Sequence, residues 1–162
     1  MYLQYKYFVD SCHKLERSSV KKVTIFTDGC CKGNPGPGGY GCILKYEGKV
    51  KEITGASKNT TNNIMEMTAC IIALDHLKEP CEVDLTTDSQ YVIKGITEWI
   101  DGWIKKNWVN SARQPVKNKE LWQKLHSLNQ KHKVSWHWVK GHSGHPGNER
   151  CDQLANEALT IL

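Results

Sequence analysis

Three strand-like stretches follow one another between Val23 and Ala56, with nothing between them long enough to cross over a sheet. A parallel connection needs a dozen or more residues, so these stretches are expected to pair as an antiparallel meander. The first is Val23 to Thr27, where Asp28-Gly29 begins a turn. The second is Cys42 to Tyr46, and Glu47-Gly48 supplies the tight turn into the third, Lys49 to Ala56. Between the first two lies Gly33 to Gly41 (GNPGPGGYG), whose glycines and prolines predict an irregular loop.

Downstream the period changes. Ile64, Met67, Ile71, Leu74 and Leu77 recur at helical spacing, with Asn62 or Asn63 as cap and Pro80 as the stop. Val83 to Thr86 predicts a short strand. Helical pattern resumes from Gln90 to about Lys106, with a break expected near Gly102. A second helix runs from about Asn118 to Lys131, a strand from Val134 to Val139, and a last helix from Asn148 to Leu159. The order βββαβααβα predicts an α/β fold. Its mixed five-stranded sheet has three antiparallel strands and then two parallel ones, flanked by helices.

The 162 residues suit one domain. Residues 1–20 carry no motif and are expected to be an extension outside a core of residues 21–162. Seven cysteines at 12, 30, 31, 42, 70, 81 and 151 form no CxxC pair, so they are expected to be reduced thiols. With no signal peptide and no membrane-spanning stretch in the pattern, a cytoplasmic location is expected.

The net charge is only +5, but it is unevenly spread. Between Asp101 and Lys140 stand nine basic residues, with Asp101 and Glu120 as the only acids. All six tryptophans lie in or at the edge of this segment, at 99, 103, 108, 122, 136 and 138. A basic, tryptophan-rich stretch beside an acidic remainder suggests a polyanion-binding face next to a site built from carboxylates.

Four acids stand at element ends: Asp28 after a strand, Glu66 early in a helix, Asp88 after another strand and Asp152 in the last helix. Taken singly, each has a structural reading as a turn residue, an N-cap or a partner of a helix dipole. Gathered together at one end of an α/β sheet, they would repel each other unless a cation neutralised them. Carboxylates without cysteine or a histidine cluster suit Mg²⁺ or Mn²⁺. Two such ions can activate water and stabilise the leaving oxygen of a phosphodiester.

TDGCCKGNPGPGGYG at 27–41, TTNNIMEM at 60–67, TTDSQYV at 86–92 and WVKGHSGHPGNERCDQLA at 138–155 resemble type 1 ribonuclease H of the bacterial kind. The resemblance runs from about Lys22 to Ala158 with the four motifs in family order. It implies a ribonuclease H catalytic domain over residues 21–162 that hydrolyses the RNA strand of RNA/DNA hybrids with two Mg²⁺ ions, or Mn²⁺ as a substitute. The products would carry 5′-phosphate and 3′-hydroxyl ends, and the protein would act as a monomer. Asp28, Glu66, Asp88 and Asp152 match the family's four metal-binding carboxylates. Asp28 is expected to bridge both ions, Glu66 and Asp88 to hold the one on the leaving-group side, and Asp152 the one on the side of attack. His142 matches the family's active-site histidine.

The resemblance also implies substrate contacts. Cys31, Gly33, Asn34, Asn62, Asn63, Glu66 and Gln90 are expected on the RNA side, where 2′-hydroxyls must be detected. Thr61 and Asn118 match a pocket for a DNA phosphate. Tyr91, Trp99 and Trp103 match positions lining the DNA channel, and Lys105, Lys106 and Arg113 fall in a basic protrusion that grips the duplex. Trp122, Trp136 and Trp138 are expected in the core. Ile104 and Val109 stand where bacterial relatives often carry lysine, which implies a less basic grip. Two other readings remain open on the residues alone: a silent hybrid-binding module, and a related nuclease acting on DNA junctions.

Overall fold

The computed structural model describes residues 19–162. The expected extension, apart from its last two residues, and Cys12 therefore lie outside the described residues. Five strands, β1 (Lys22–Cys31), β2 (Gly36–Tyr46), β3 (Lys49–Thr60), β4 (Glu82–Thr87) and β5 (Lys133–Trp138), form one sheet in the order β3-β2-β1-β4-β5. β1–β2 and β2–β3 are antiparallel, while β1–β4 and β4–β5 are parallel, as the connection lengths required. Glu47 and Gly48 both adopt positive φ in the β2–β3 turn, the conformation a two-residue hairpin demands.

The meander is longer than its sequence pattern suggests. β1 continues through Asp28 to Cys31, and Gly36 to Gly41 are strand rather than loop, with Asp28 paired to Gly41 and Cys31 to Gly38. The glycines have a packing cause. A Cβ on Gly39 would strike the Ala155 carbonyl, and one on Gly41 would lie 2.6 Å from the Cys151 carbonyl oxygen. Both carbonyls belong to the helix α5 (Pro146–Leu159), which rests directly on the β2 backbone. These positions are bare because a helix needs the space, not because the chain turns there. β3 likewise runs on to Thr60, beyond the expected Ala56.

Helix α1 (Asn62–Asp75) is capped by Thr61, whose hydroxyl accepts from the Ile64 amide at 3.2 Å, and not by Asn62 or Asn63. It ends at Asp75, five residues before Pro80. Its residues are buried on nearly every side, because it lies between the sheet and α4 (Lys119–Lys131). The next helical run is α2 (Gln90–Lys94), a π-helical turn (Gly95–Trp99) and α3 (Ile100–Lys105). The irregularity falls at Gly95, where the Ile100 amide reaches back to the Gly95 carbonyl, and not at Gly102. Gly95 lies against the Trp122 ring, which occupies the space a Cβ would need. The main core holds Ile25, Leu74, Leu85, Leu125 and Trp122, and a smaller cluster of Ile43, Cys151 and Leu154 with Phe26 lies under α5.

The two kinds of glycine have opposite consequences. Gly41→Val should lower unfolding stability by about 1–3 kcal/mol, because α5 must shift to admit the side chain. Gly102→Ala, in a helical position with open space around it, should raise stability by about 0.5–1 kcal/mol. Urea titrations of the two variants beside the wild type measure both signs.

Candidate active site

β1 and β4 run parallel, so their C-terminal ends point the same way and carry Asp28 and Asp88 to one place. α1 crosses behind them and presents Glu66 to the same point. Oxygens of Asp28, Glu66 and Asp88 all lie within 4.8 Å of one another. The Gly29 amide joins two of them, donating to Asp28 Oδ1 at 2.8 Å and to Glu66 Oε1 at 3.1 Å. Gly29 must be glycine, since a Cβ there would run into the α1 backbone at Met65 and Glu66.

Both Asp28 and Glu66 are buried. Burial, and next the charge of Asp88, pushes the Asp28 carboxyl up from 3.8 to about 7. Burial, and next the charge of Asp28, holds the Glu66 carboxyl well above its ordinary range. Glu66 Oε2 is buried with no hydrogen-bond partner. A buried orphan oxygen among three crowded carboxylates is the environment a divalent cation resolves, with oxygen donors suited to a hard ion. The residues therefore fit a divalent metal.

A cavity of about 490 Å³ opens over this cluster. Asp152 and His142 line it, so all five expected catalytic residues meet there. Asp152 stands apart from the tight trio. It lies at the seventh position of α5, and its Oδ1 accepts from Asn156 Nδ2 at 3.1 Å. His142 sits in the β5–α5 loop with φ of 53°. Asp88 does not cap α2; Ser89 does, accepting from the Val92 amide at 3.2 Å.

Of the expected substrate contacts, Cys31, Asn62, Asn63, Gln90 and Tyr91 line the cavity. Gly33 and Asn34 lie outside it, in the β1–β2 connection, though Asn34 Oδ1 accepts from the Asn62 amide at 3.2 Å. Tyr91 starts an aromatic row, with ring centroids 6.1 Å from Tyr91 to Trp99 and 5.9 Å from Trp99 to Trp103. Asn118, just before α4 and left-handed at φ 59°, donates from Nδ2 to the Tyr91 hydroxyl at 3.1 Å. Thr61 is occupied as the α1 cap. Lys105 and Lys106 lie exposed at the end of α3, away from the cavity.

One tryptophan is not where its pattern placed it. Trp122 is fully buried and Trp136 packs against the core, but Trp138 is 46% exposed and lines the cavity. It is the last residue of β5, which is an edge strand of the sheet among the described residues. Cys30 and Ser89 also line the cavity unforeseen; Cys30 could have been found by extending β1 beyond Asp28.

A sheet of this order with helices so arranged is the ribonuclease H-like α/β fold. Among solved structures, LC9-RNase H1, a type 1 RNase H with the type 2 active-site motif, matches with a TM-score of 0.79 at 31% identity, covering 88% of this chain and 74% of that one. LC11-RNase H1, solved in complex with an RNA/DNA hybrid, matches at 0.65 and 27% identity over 86% of this chain and 97% of that one. The RNase H family profile matches residues 20–160. Ribonuclease H of Geotalea uraniireducens (strain Rf4) is 61% identical over 141 residues, covering 87% of this chain and 96% of the relative. That of Psychromonas ingrahamii is 60% identical over 139 residues, covering 86% and 91%. The chain belongs to the ribonuclease H family, type 1.

The crowded trio sets a measurable sign. Asp28 binds its proton more tightly in the folded, metal-free protein than in the unfolded chain. Its contribution to stability is therefore full below pH 4 and is lost as pH rises through about 7. Asp28→Asn should abolish nuclease activity yet raise the metal-free melting temperature at neutral pH, by about 2–4 °C for each kcal/mol of relieved repulsion. Differential scanning calorimetry with and without chelator tests both the sign and its pH dependence.

Proposed function

We propose that this chain is an endoribonuclease that hydrolyses the RNA strand of RNA/DNA hybrids, using two Mg²⁺ ions for which Mn²⁺ can substitute. The observation that carries this reading is the close trio of Asp28, Glu66 and Asp88 beneath a cavity whose fourth acid is Asp152. When bound, the two cations supply an activated water and neutralise the leaving oxygen of the phosphodiester. Asp28, close to Glu66 and sharing the cavity with Asp152, would hold both ions; Glu66 and Asp88 would hold the one on the leaving side, and Asp152 the one on the side of attack. His142, in its loop at the cavity rim, moves protons or eases product departure. The products carry 5′-phosphate and 3′-hydroxyl ends.

Asn62, Asn63 and Gln90 read the RNA strand, offering amide groups to 2′-hydroxyls at the cavity edge. Cys31, Gly33 and Asn34 contact the same strand, and Asn34 Oδ1 accepts from the Asn62 amide at 3.2 Å. The DNA strand follows the aromatic row of Tyr91, Trp99 and Trp103. There a flat ring packs on a deoxyribose and disfavours a sugar with a 2′-hydroxyl. Thr61 and Asn118 hold a DNA phosphate, and Lys105 and Lys106 add affinity that falls with salt. Residues 21–162 form the catalytic unit, acting as a monomer in the cytoplasm. The six described cysteines are all free, as a reducing compartment keeps them. No helix among the described residues is long and apolar enough to cross a membrane.

A labelled RNA/DNA hybrid incubated with the protein and Mg²⁺, beside all-RNA, all-DNA and single-ribonucleotide duplexes, should be cut in the RNA strand of the hybrid alone. No cleavage at micromolar protein would leave only a binding module, and equal cleavage of DNA would move the chain to the junction nucleases. Replacing Lys105 and Lys106 together by alanine should weaken hybrid binding and flatten the slope of log affinity against log salt by up to about two. Fluorescence anisotropy across a salt series reads that slope.

A further inference from the structure

We propose that Trp138 is a positioning residue for Asp88, acting with the Gly141 backbone as a clamp that keeps the Asp88 carboxylate aimed into the acid cluster. This rests on the reading of that cluster as a divalent-metal site. Three observations meet at Asp88. In the parallel register Trp138 stands opposite Thr87, and the Val139 amide makes the last backbone bond of the ladder, to the Thr87 carbonyl at 3.1 Å. Among the described residues the strand pairing of β4 ends at Thr87, one residue before Asp88. The Trp138 indole takes over there, its Nε1 donating to the Asp88 carbonyl at 2.9 Å. On the other side, Asp88 Oδ2 fills the space that a Cβ on Gly141 would occupy, so the backbone of the β5–α5 loop lies directly against the carboxylate.

The arrangement accounts for an exposed tryptophan. A ring left 46% exposed at the cavity gains little from burial, and core packing does not require it. What it provides is a donor reaching one residue past the end of β5, to the carbonyl of the residue whose side chain completes the trio. Asp88 is the only one of the three that is half-exposed, and it lacks the Gly29 amide that ties Asp28 to Glu66. Outer-sphere bonds of this kind orient the groups that touch a metal. Gly141 is followed directly by His142, so the same clamp fixes where the histidine loop departs from the sheet.

Trp138→Phe separates the roles, because it keeps a smaller aromatic ring at the position and removes the N–H donor. Calorimetric titration of the protein with Mn²⁺, without nucleic acid, should show affinity falling about tenfold. With hybrid at limiting Mg²⁺, kcat should fall while KM for the hybrid stays unchanged, and the metal-free melting temperature should not move. Gly141→Ala, which pushes the carboxylate itself, should lose Mn²⁺ affinity to at least the same degree. Wild-type Mn²⁺ affinity in both variants overturns the clamp, whether accompanied by a raised KM (a ring that only contacts nucleic acid) or by a lower melting temperature (a ring that only packs). If the wild type fails to cleave hybrid while Trp138→Phe still weakens Mn²⁺ binding, the nuclease reading falls and the clamp stands. If the wild type cleaves and both variants match it, the clamp falls and the nuclease reading stands. A wild type that binds no Mn²⁺ overturns both.

Discussion

One amide holds the site together. Gly29 N–H donates at once to the carboxylate beside it on β1 and to Glu66 on α1. That bifurcated hydrogen bond requires the α1 backbone to lie against β1 so closely that no side chain fits at residue 29. The close approach is what buries Glu66, and burial is the largest cause of the raised pKa of both acids. Folding thus brings like charges together in a poorly hydrated place and leaves Glu66 Oε2 without a partner. The hydrophobic contacts of α1 with the sheet and α4, including Met67, Cys70 and Leu74, must carry that cost in the absence of a cation.

A second close approach, on the other face, places the fourth acid. The glycine row of β2 admits α5 to backbone contact, and α5 is fastened at its edge by Arg150, which grips Glu52 of β3 with two bonds of 2.9 Å. The Thr54 hydroxyl adds a bond to the Leu154 carbonyl at 3.0 Å. Asp152 is therefore set by a helix docked independently of α1, half-exposed and held by Asn156 rather than by the trio. The four acids divide into a tight three, two of them buried and sharing charge repulsion with Asp88, and a fourth that lines the same cavity from α5. The two places differ in hydration, since water can reach the side of Asp152 more readily than that of Glu66.

Much of this was legible in the residues. The meander followed from short connections alone, and the parallel pairs from the helical stretches between strands. Asp88 stood at a strand-to-helix handover and Glu66 within an apolar helical period, so their convergence could be argued before any coordinates. Asp28 was harder, because its strand continues through residues with little strand preference, and what sustains them is the pairing with β2. Gly39 and Gly41 of β2 misled because their cause is α5, more than a hundred residues away in sequence. Trp138 was misplaced because a tryptophan within an alternating strand reads as core, and only the sheet order shows that β5 is an edge. Thr61 took the α1 cap from its asparagine neighbours because the extended conformation of β3 reaches that residue.

Tyr91 links the two halves of the molecule's task. Its side chain lines the cavity beside the acids, yet its hydroxyl accepts from both Asn118 Nδ2 and Trp122 Nε1, at 3.1 and 3.2 Å. Trp122 is wholly buried and packs on Gly95, where the π-turn begins. The extra residue in that turn rotates the helix so that Trp99 and Trp103 follow Tyr91 in one row instead of diverging from it. Asn118 gives up capping α4 with its side chain in order to make this bond. A core tryptophan, a cavity-lining tyrosine and the residue just before α4 are thus one hydrogen-bonded unit. Through it Tyr91, at the cavity, is tied both to the packed core and to the start of α4, so the wall of the cavity beside the acids is positioned by buried packing.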